Sequence, residues 1–343
     1  MAKSYNQKLK LLRLMEIFRK YSDEENKLTL AQITEHLAFH EIQANRKTLY
    51  EDIGLLDEDG FGIPHQKNQR HYYHQRNKDT EFELSELKLI YDAVQSSKFI
   101  TQAATDRITK KLKGLCSTYE ARELQGKMYV VNRIKNMNES VLPNVEAVRK
   151  AIQENRQIGF KYFNYDIKGK REYLLKGERY TVSPFSLIYS ENNYYLLAYQ
   201  VPNGKTKGKF KHFRIDKMER IFPKTDSRIG IEEYAAIDRD TYLRNTFSMY
   251  GGELQKVTLQ FSNHLAGVVI DRFGRDVNGH LPMASPVDNG HFQIRVDVAV
   301  SNQFFGWVLG LGKGVKIVDP PQVVEKMANL IDGVRPYYTK EDE

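Results

Sequence analysis

At 343 residues the chain is too long for a single hydrophobic core, and two or three domains are expected. Its 41% hydrophobic and 28% charged residues are those of an ordinary globular protein. With no run of about 18 apolar residues, no signal-peptide core at the N-terminus and one cysteine, Cys116, the chain is expected to be cytoplasmic, with no membrane partner and no internal disulfide.

The net charge of +8 is unevenly spread. Residues 1–80 carry 13 Lys/Arg against 12 Asp/Glu and residues 81–149 carry 11 against 9. Residues 150–220 carry 15 against 7, and residues 221–343 carry 13 against 16. The middle segment therefore holds an excess as large as that of the whole chain, which predicts attraction to anions such as nucleic acid or a phosphorylated ligand. The N-terminal segment is almost neutral, so contact with DNA there requires local clustering.

In chain order, Leu11, Leu14, Met15 and Phe18 mark a first amphipathic helix. Thr29 can cap a second, short one with Leu30, Ile33 and Leu37 on its buried face. After a turn through Phe39 and Ile42, Asn45 can cap a third, in which Leu49, Ile53 and Leu56 share one face. Lys47, Tyr50 and Gly54 then point the opposite way, with Arg46 on the flank. Cations stand at the start of this helix and Asp57, Glu58 and Asp59 at its end, an order that opposes the helix dipole. The start of a recognition helix is where base edges and phosphates are met in a major groove. Two short helices and a tight turn, the second basic at its start, describe a helix-turn-helix. From Phe61 to Tyr73, Ile63 and Tyr72-Tyr73 flank a polar tip, Lys67-Asn68-Gln69-Arg70, which predicts a β-hairpin wing. The candidate DNA contacts are Asn45, Arg46, Lys47, Thr48, Tyr50, Lys67 and Arg70.

Helical spacing resumes from Glu81. Leu84, Leu87, Tyr91 and Val94 share a face, as do Ile108, Leu112, Leu115 and Tyr119, with Cys116 beside them as a buried small hydrophobe. This segment, 81–140, is a linker or dimerisation surface. Residues 136–143 are a hinge, and a helix with Val145, Val148 and Ile152 on one side follows. Between residues 160 and 199 there are eleven Tyr and Phe, and β-prone runs at 158–163, 180–188, 194–200 and 210–215 alternate with turn clusters, a small β-barrel pattern. Residues 202–209, rich in Gly and Lys, are an exposed connection. In the last hundred residues, 256–261, 291–298 and 315–318 read as strands and 302–309 and 322–331 as helices, a compact α/β unit.

Some apparent motifs fail. Gly306, Gly310, Gly312 and Gly314 around Lys313 invite a phosphate loop, but Trp307 stands where its first Gly is required and Gly314 where Ser or Thr is required. A helix C-terminus is the better reading. Five of the nine histidines, His36, His40, His65, His71 and His74, lie in the head without Cys pairs or a His-Glu-x-x-His pattern, which argues against zinc. There is no Gly-x-Ser-x-Gly elbow. No catalytic constellation, metal or cofactor is expected.

A helix-turn-helix with a wing, a basic aromatic-rich barrel and an α/β tail together resemble the WYL-domain transcriptional regulators of bacteria. The name-giving triplet stands here as Tyr194-Tyr195-Leu196, and Val182-Ser183-Pro184-Phe185 and Phe213-Arg214-Ile215-Asp216-Lys217 also match. Residues 45–53 look like the family's recognition helix, and the tail from Phe305 through Pro320 like its C-terminal WCX-type extension. The resemblance implies a multidomain α+β chain: a winged helix-turn-helix over 1–80, a helical linker over 81–140, an Sm-like small β-barrel, the WYL domain, over 141–225, and an α/β extension over 226–343. It also implies a homodimer that binds a double-stranded DNA operator and senses a nucleic-acid or nucleotide-like effector. Carried over by motif, Ser183, Tyr195, His212 and Arg214 are pocket candidates, with Lys161, Arg179 and Tyr180 chosen for type and strand position. Arg can fork two hydrogen bonds onto a phosphate, and aromatic rings offer stacking faces. Most of the aromatics must nevertheless fill the barrel core, and Arg214 has a second reading as the partner of Asp216 at a structural corner. The alternative function is a nucleic-acid-binding protein whose barrel is the main single-strand module.

Overall fold

The computed structural model describes residues 9–64, 69–126, 135–202, 208–237, 253–274 and 284–339. They divide into two compact units, one ending at Glu139 and the other beginning at Ser140.

The first unit opens with helix α1 (Lys10–Tyr21), strand β1 (Leu28–Thr29), helix α2 (Leu30–Phe39) and helix α3 (Arg46–Glu58). Thr29 and Gln32 form a capping box at the start of α2, each side chain taking up the other's free backbone N–H. The three helices enclose one core of Leu14, Ile17, Phe18, Ile33, Leu37, Leu49, Ile53 and Leu56, joined by Ile63 and Tyr72. Strand β2 (His71–Tyr72) pairs antiparallel with β1, Leu28 facing Tyr72. Among the described residues the expected hairpin partner, the arm around Ile63, forms no ladder; the Gly62 carbonyl instead accepts from the Gln75 N–H at 2.7 Å. Gly62 has φ +78, and an added Cβ would meet the Gln75 carbonyl oxygen at 2.3 Å, so only glycine allows this approach.

Helices α4 (Leu84–Ser96), α5 (Gln102–Lys113) and α6 (Glu120–Leu124) complete the unit around Leu87, Tyr91, Cys116 and Leu124. Leu115 and Tyr119 do not extend α5 as their spacing suggested. The helix stops at Gly114, and both side chains are exposed. Cys116 is buried, and burial pushes its thiol up to about 11.

The second unit begins with helix α7 (Val141–Gln153), which therefore takes in the end of the expected hinge. Strands β3 (Arg156–Tyr165), β4 (Arg171–Tyr173), β5 (Tyr180–Ser190), β6 (Asn193–Gln200), β7 (Lys209–Arg214) and β8 (Met218–Ser227) form one antiparallel sheet. Its order is β4-β3-β5-β6-β7, with β8 on β3, and register shifts in β3 and β5 curl it. Helix α7 covers one face. Its Val148 and Ala151 pack on Phe160, Tyr180, Val182, Leu196 and Phe213, and the Asn144 side-chain amide donates to the Met218 carbonyl at 2.8 Å. Gly159 lets the Phe222 ring of β8 lie against the backbone of β3, where any Cβ would meet it at 2.2 Å. Helix α8 (Ile231–Ala235) follows β8.

A second sheet, in the order β10-β11-β9-β12, is built from β9 (Glu253–Ser262), β10 (Ser285–Pro286), β11 (His291–Val300) and β12 (Val315–Asp319). Helices α9 (Ala266–Phe273), α10 (Asn302–Gly310) and α11 (Pro321–Val334) accompany it. Its core gathers Val257, Leu259, Phe261, Val269, Ile294, Phe304, Val308 and Val323. Helix α9 has no counterpart in the sequence reading. The glycines around Lys313 lie at the end of α10, where Gly312 takes φ +62. Among the described residues no helix is long and apolar enough to cross a membrane, and no three His, Cys, Asp or Glu side chains are grouped to hold a metal.

Candidate functional site

Two surfaces gather the candidate residues. On the first, α3 is held by Leu49, Ile53 and Leu56, buried to 5% exposure or less. Each such side chain stabilises the packing by about 1.5–3 kcal/mol. The Asn45 carboxamide oxygen accepts from the Thr48 N–H at 2.9 Å, and the Thr48 hydroxyl donates to the Asn45 carbonyl at 3.1 Å. Asn45 and Thr48 are thus engaged with each other as the cap. Arg46 and Lys47 are exposed, and the first turn holds no acid to neutralise them. Free N–H groups, the positive end of the helix dipole and two cations converge there, an arrangement that attracts phosphate.

Tyr50 departs from the outward placement its spacing suggested. It packs against the head core and hydrogen bonds to Tyr72, whose phenol is pushed up to about 12, first by burial and then by Tyr50. An aromatic side chain is long enough to fold back from the helix flank onto β2, and Tyr50 becomes a brace between the two. Arg70 is exposed beside β2, where the Gln69 amide ties the Pro64 and His71 carbonyls at 3.0 and 2.6 Å. Lys67 lies outside the described residues.

On the second surface the candidates separate. In the β6–β7 ladder Tyr195 faces Arg214 and Leu197 faces His212. Alternation places these residues, with Ser186 and Ile188 of β5, on the sheet face turned away from α7. Ser183 is fully buried, and its hydroxyl accepts from the Ile229 N–H at 2.9 Å. Tyr195 is buried with Ile188 and Leu197, while Phe210 and Tyr234 pack against them. Burial pushes the His212 imidazole down to about 4, so it is neutral at pH 7.

Tyr180, by contrast, belongs to the α7 side, stacked on Phe160 with centroids 5.6 Å apart, and Lys211 Nζ lies 5.9 Å from its ring centroid. Lys161 Nζ lies 5.4 Å from the Tyr173 centroid, and the Arg179 guanidinium 4.8 Å from that of Phe222. Tyr180 is therefore on the opposite sheet face from Tyr195 and His212, and Lys161 and Arg179 each stand over a ring of their own. The shared property is a cation held over an aromatic face, a contact that leaves the charge's remaining hydrogen bonds open to an anion.

Arg214 is held by its own strand end. Its guanidinium forks onto Asp216 and also donates to Asn193 Oδ1 at 2.9 Å, while its backbone N–H donates to the Tyr162 hydroxyl at 3.1 Å. The geometry is that of the structural corner. The sequence marks neither Asn193 nor Tyr162 as partners of Arg214, and it does not single out Arg228 and Tyr234, which reach the same sheet from beyond β8. Nothing periodic marks those two residues. Gly230 between them, with φ +83, is the one local sign of a special backbone.

Comparison with known proteins divides the second unit in the same way. A model of the WYL domain matches residues 143–223, and a model of the WCX domain matches residues 253–334. No curated protein matches the chain. Among solved structures it is similar to the proteasome accessory factor B/C (PafBC) of Arthrobacter aurescens, at 19% identity and a TM-score of 0.28, covering 96% of this chain and 49% of that one. The chain thus spans about half the length of that protein. It is also similar to a structure described as a CRISPR Cas-related protein, at 13% identity and a TM-score of 0.36, covering 100% of this chain and 88% of that one.

Proposed function

We propose that this chain, which carries a WYL domain followed by a WCX domain, is a sequence-specific DNA-binding transcription regulator. In this reading residues 1–80 are a winged helix-turn-helix whose α3 enters the major groove. The curled sheet is an Sm-like barrel that senses a nucleic-acid or nucleotide-like anion, and two copies act together on a duplex operator. The observation that carries the reading is the start of α3, where Arg46 and Lys47 stand exposed on a capped helix whose opposite face is fixed in the core. A helix that places its cations against its own dipole gives up some stability, and a groove-facing phosphate restores it. The near-neutral head supports local rather than diffuse attraction to DNA, and the basic excess in residues 150–220 supports an anion at the barrel.

The reading is of a binding protein and not an enzyme, and turnover of a ligand by the purified chain would count against it. The direct test is recovery of the DNA bound across the genome, followed by mobility shifts on the enriched fragments. The intact chain is expected to bind one recurring site, and Arg46→Ala with Lys47→Ala to lose it. Unchanged specific binding by that double variant would remove α3 as the reader. Single-strand binding as tight as duplex binding would favour the barrel as the main nucleic-acid module.

A further inference from the structure

The pocket candidate Ser183 stands in the motif Val182-Ser183-Pro184-Phe185, and in this structure three residues of that motif are taken by the chain's own next segment. Beyond β8, Arg228 donates to the Pro184 carbonyl at 2.9 Å and is steadied by Asn155 Oδ1 at 2.9 Å, with its guanidinium 4.9 Å from the Phe185 centroid. The Ile229 N–H donates to the Ser183 hydroxyl. Gly230 then turns the chain with φ +83 against the Tyr199 ring, where an added Cβ would stand 2.5 Å from the ring carbon. In α8, Glu233 accepts from the Tyr199 hydroxyl at 3.3 Å. Tyr234 stacks on Phe185, centroids 4.5 Å apart and planes 26° apart, and its hydroxyl lies 2.5 Å from that of Ser186.

This is the geometry of a base on an aromatic platform: a flat ring stacked on Phe185 and bordered by Phe210, with a polar edge on a serine hydroxyl. We propose that the sheet face formed by Phe185, Phe210, Ser183 and Ser186 is the effector's seat, and that residues 228–237 are a strap that closes it, Tyr234 standing where a base would stack. Effector and strap compete for the same groups. The strap also lies in the chain between β8 and the WCX domain. The inference rests on the reading of the barrel as a sensor of nucleic acid or nucleotide-like anions.

The test uses the full chain and single-stranded oligodeoxythymidine as probe, with affinity read by calorimetry. Tyr234→Ala removes the stacked ring, and Gly230→Ala lifts the strap from Tyr199 without altering the seat. A strap that masks the seat lowers the apparent affinity by the fraction of open molecules, so both variants are expected to bind roughly three- to tenfold more tightly, while Tyr234→Phe, which keeps the ring, stays close to the parent chain. Probe binding to the parent chain is also expected to speed hydrogen exchange at residues 229–234. Equal affinity in parent, Tyr234→Ala and Gly230→Ala, with exchange unchanged, would overturn the strap and leave the sensor standing. No binding by any of the four proteins would overturn the sensor reading, and the strap with it.

Discussion

Arg214 grips Asp216 two residues ahead of it with both arms of its guanidinium, Nε to Oδ1 at 3.0 Å and Nη2 to Oδ2 at 2.8 Å, across the turn that ends β7. The Asp216 side chain is 10% exposed and that of Arg214 36%, so the pair is partly shielded from water. Paired forks of this kind are among the stronger polar contacts in proteins. Asp216→Asn is expected to lower the stability of the second unit by about 1–3 kcal/mol, read as a lower urea midpoint in circular dichroism. An unchanged midpoint would mean that the fork contributes little and that Arg214 is free to serve an anion.

What could be read from the sequence was what is local. The cap of α3 and its apolar face depend on residues within eleven positions of one another, and spacing alone placed them. The strands of the WYL sheet were legible because aromatic residues alternate with turn clusters. The pairing of His71–Tyr72 with Leu28–Thr29 was not, because a two-residue ladder joining positions some forty residues apart has no pattern of its own. Tyr50 was misplaced for a related reason. Helix periodicity gives the direction of Cβ, and a long ring can still turn back to reach Tyr72. The strap escaped because its grip on Ser183, Pro184 and Phe185 comes from a backbone N–H, a guanidinium and one ring at irregular spacing. A domain boundary drawn at residue 225 then cuts it from the sheet it covers.

The cap itself can be tested. Asn45→Ala removes the acceptor for the Thr48 N–H and is expected to destabilise the head by about 1 kcal/mol, whereas Asn45→Asp keeps an acceptor and costs little. Thermal unfolding of the three proteins in parallel would show it. Equal midpoints for Ala and Asp would mean that water satisfies the start of α3 as well as the side chain does.

The two roles that the proposed function gives α3 separate in their response to salt. Each phosphate contact adds about 0.9 to the slope of log affinity against log salt concentration. Arg46→Ala and Lys47→Ala are each expected to flatten that slope by about 1 on duplex operator. Tyr50→Phe loses only the hydroxyl that meets Tyr72, so it is expected to lower stability by about 0.5–1.5 kcal/mol and to leave the slope unchanged. Weaker operator binding by Tyr50→Phe at fixed salt would return this residue to the DNA contacts.

His212 sets a direction for stability against pH. Burial holds its imidazole at about 4 in the folded chain, below the 6.5 of an exposed histidine. Between those values the unfolded chain takes up a proton that the folded chain refuses, so folding weakens as pH falls from 6.5 to about 4 and levels off below it. The contribution present above pH 6.5 amounts to at most about 3 kcal/mol. Substituting His212→Gln keeps a neutral polar side chain and removes this titration, so the variant is expected to lose less stability than the parent between pH 7 and pH 4.5. Every other group is common to both proteins, which is why the difference between them is the quantity to measure. Parallel urea unfolding curves at half-unit pH steps give it, and identical pH dependence in parent and variant would show that the imidazole is not held neutral by the fold.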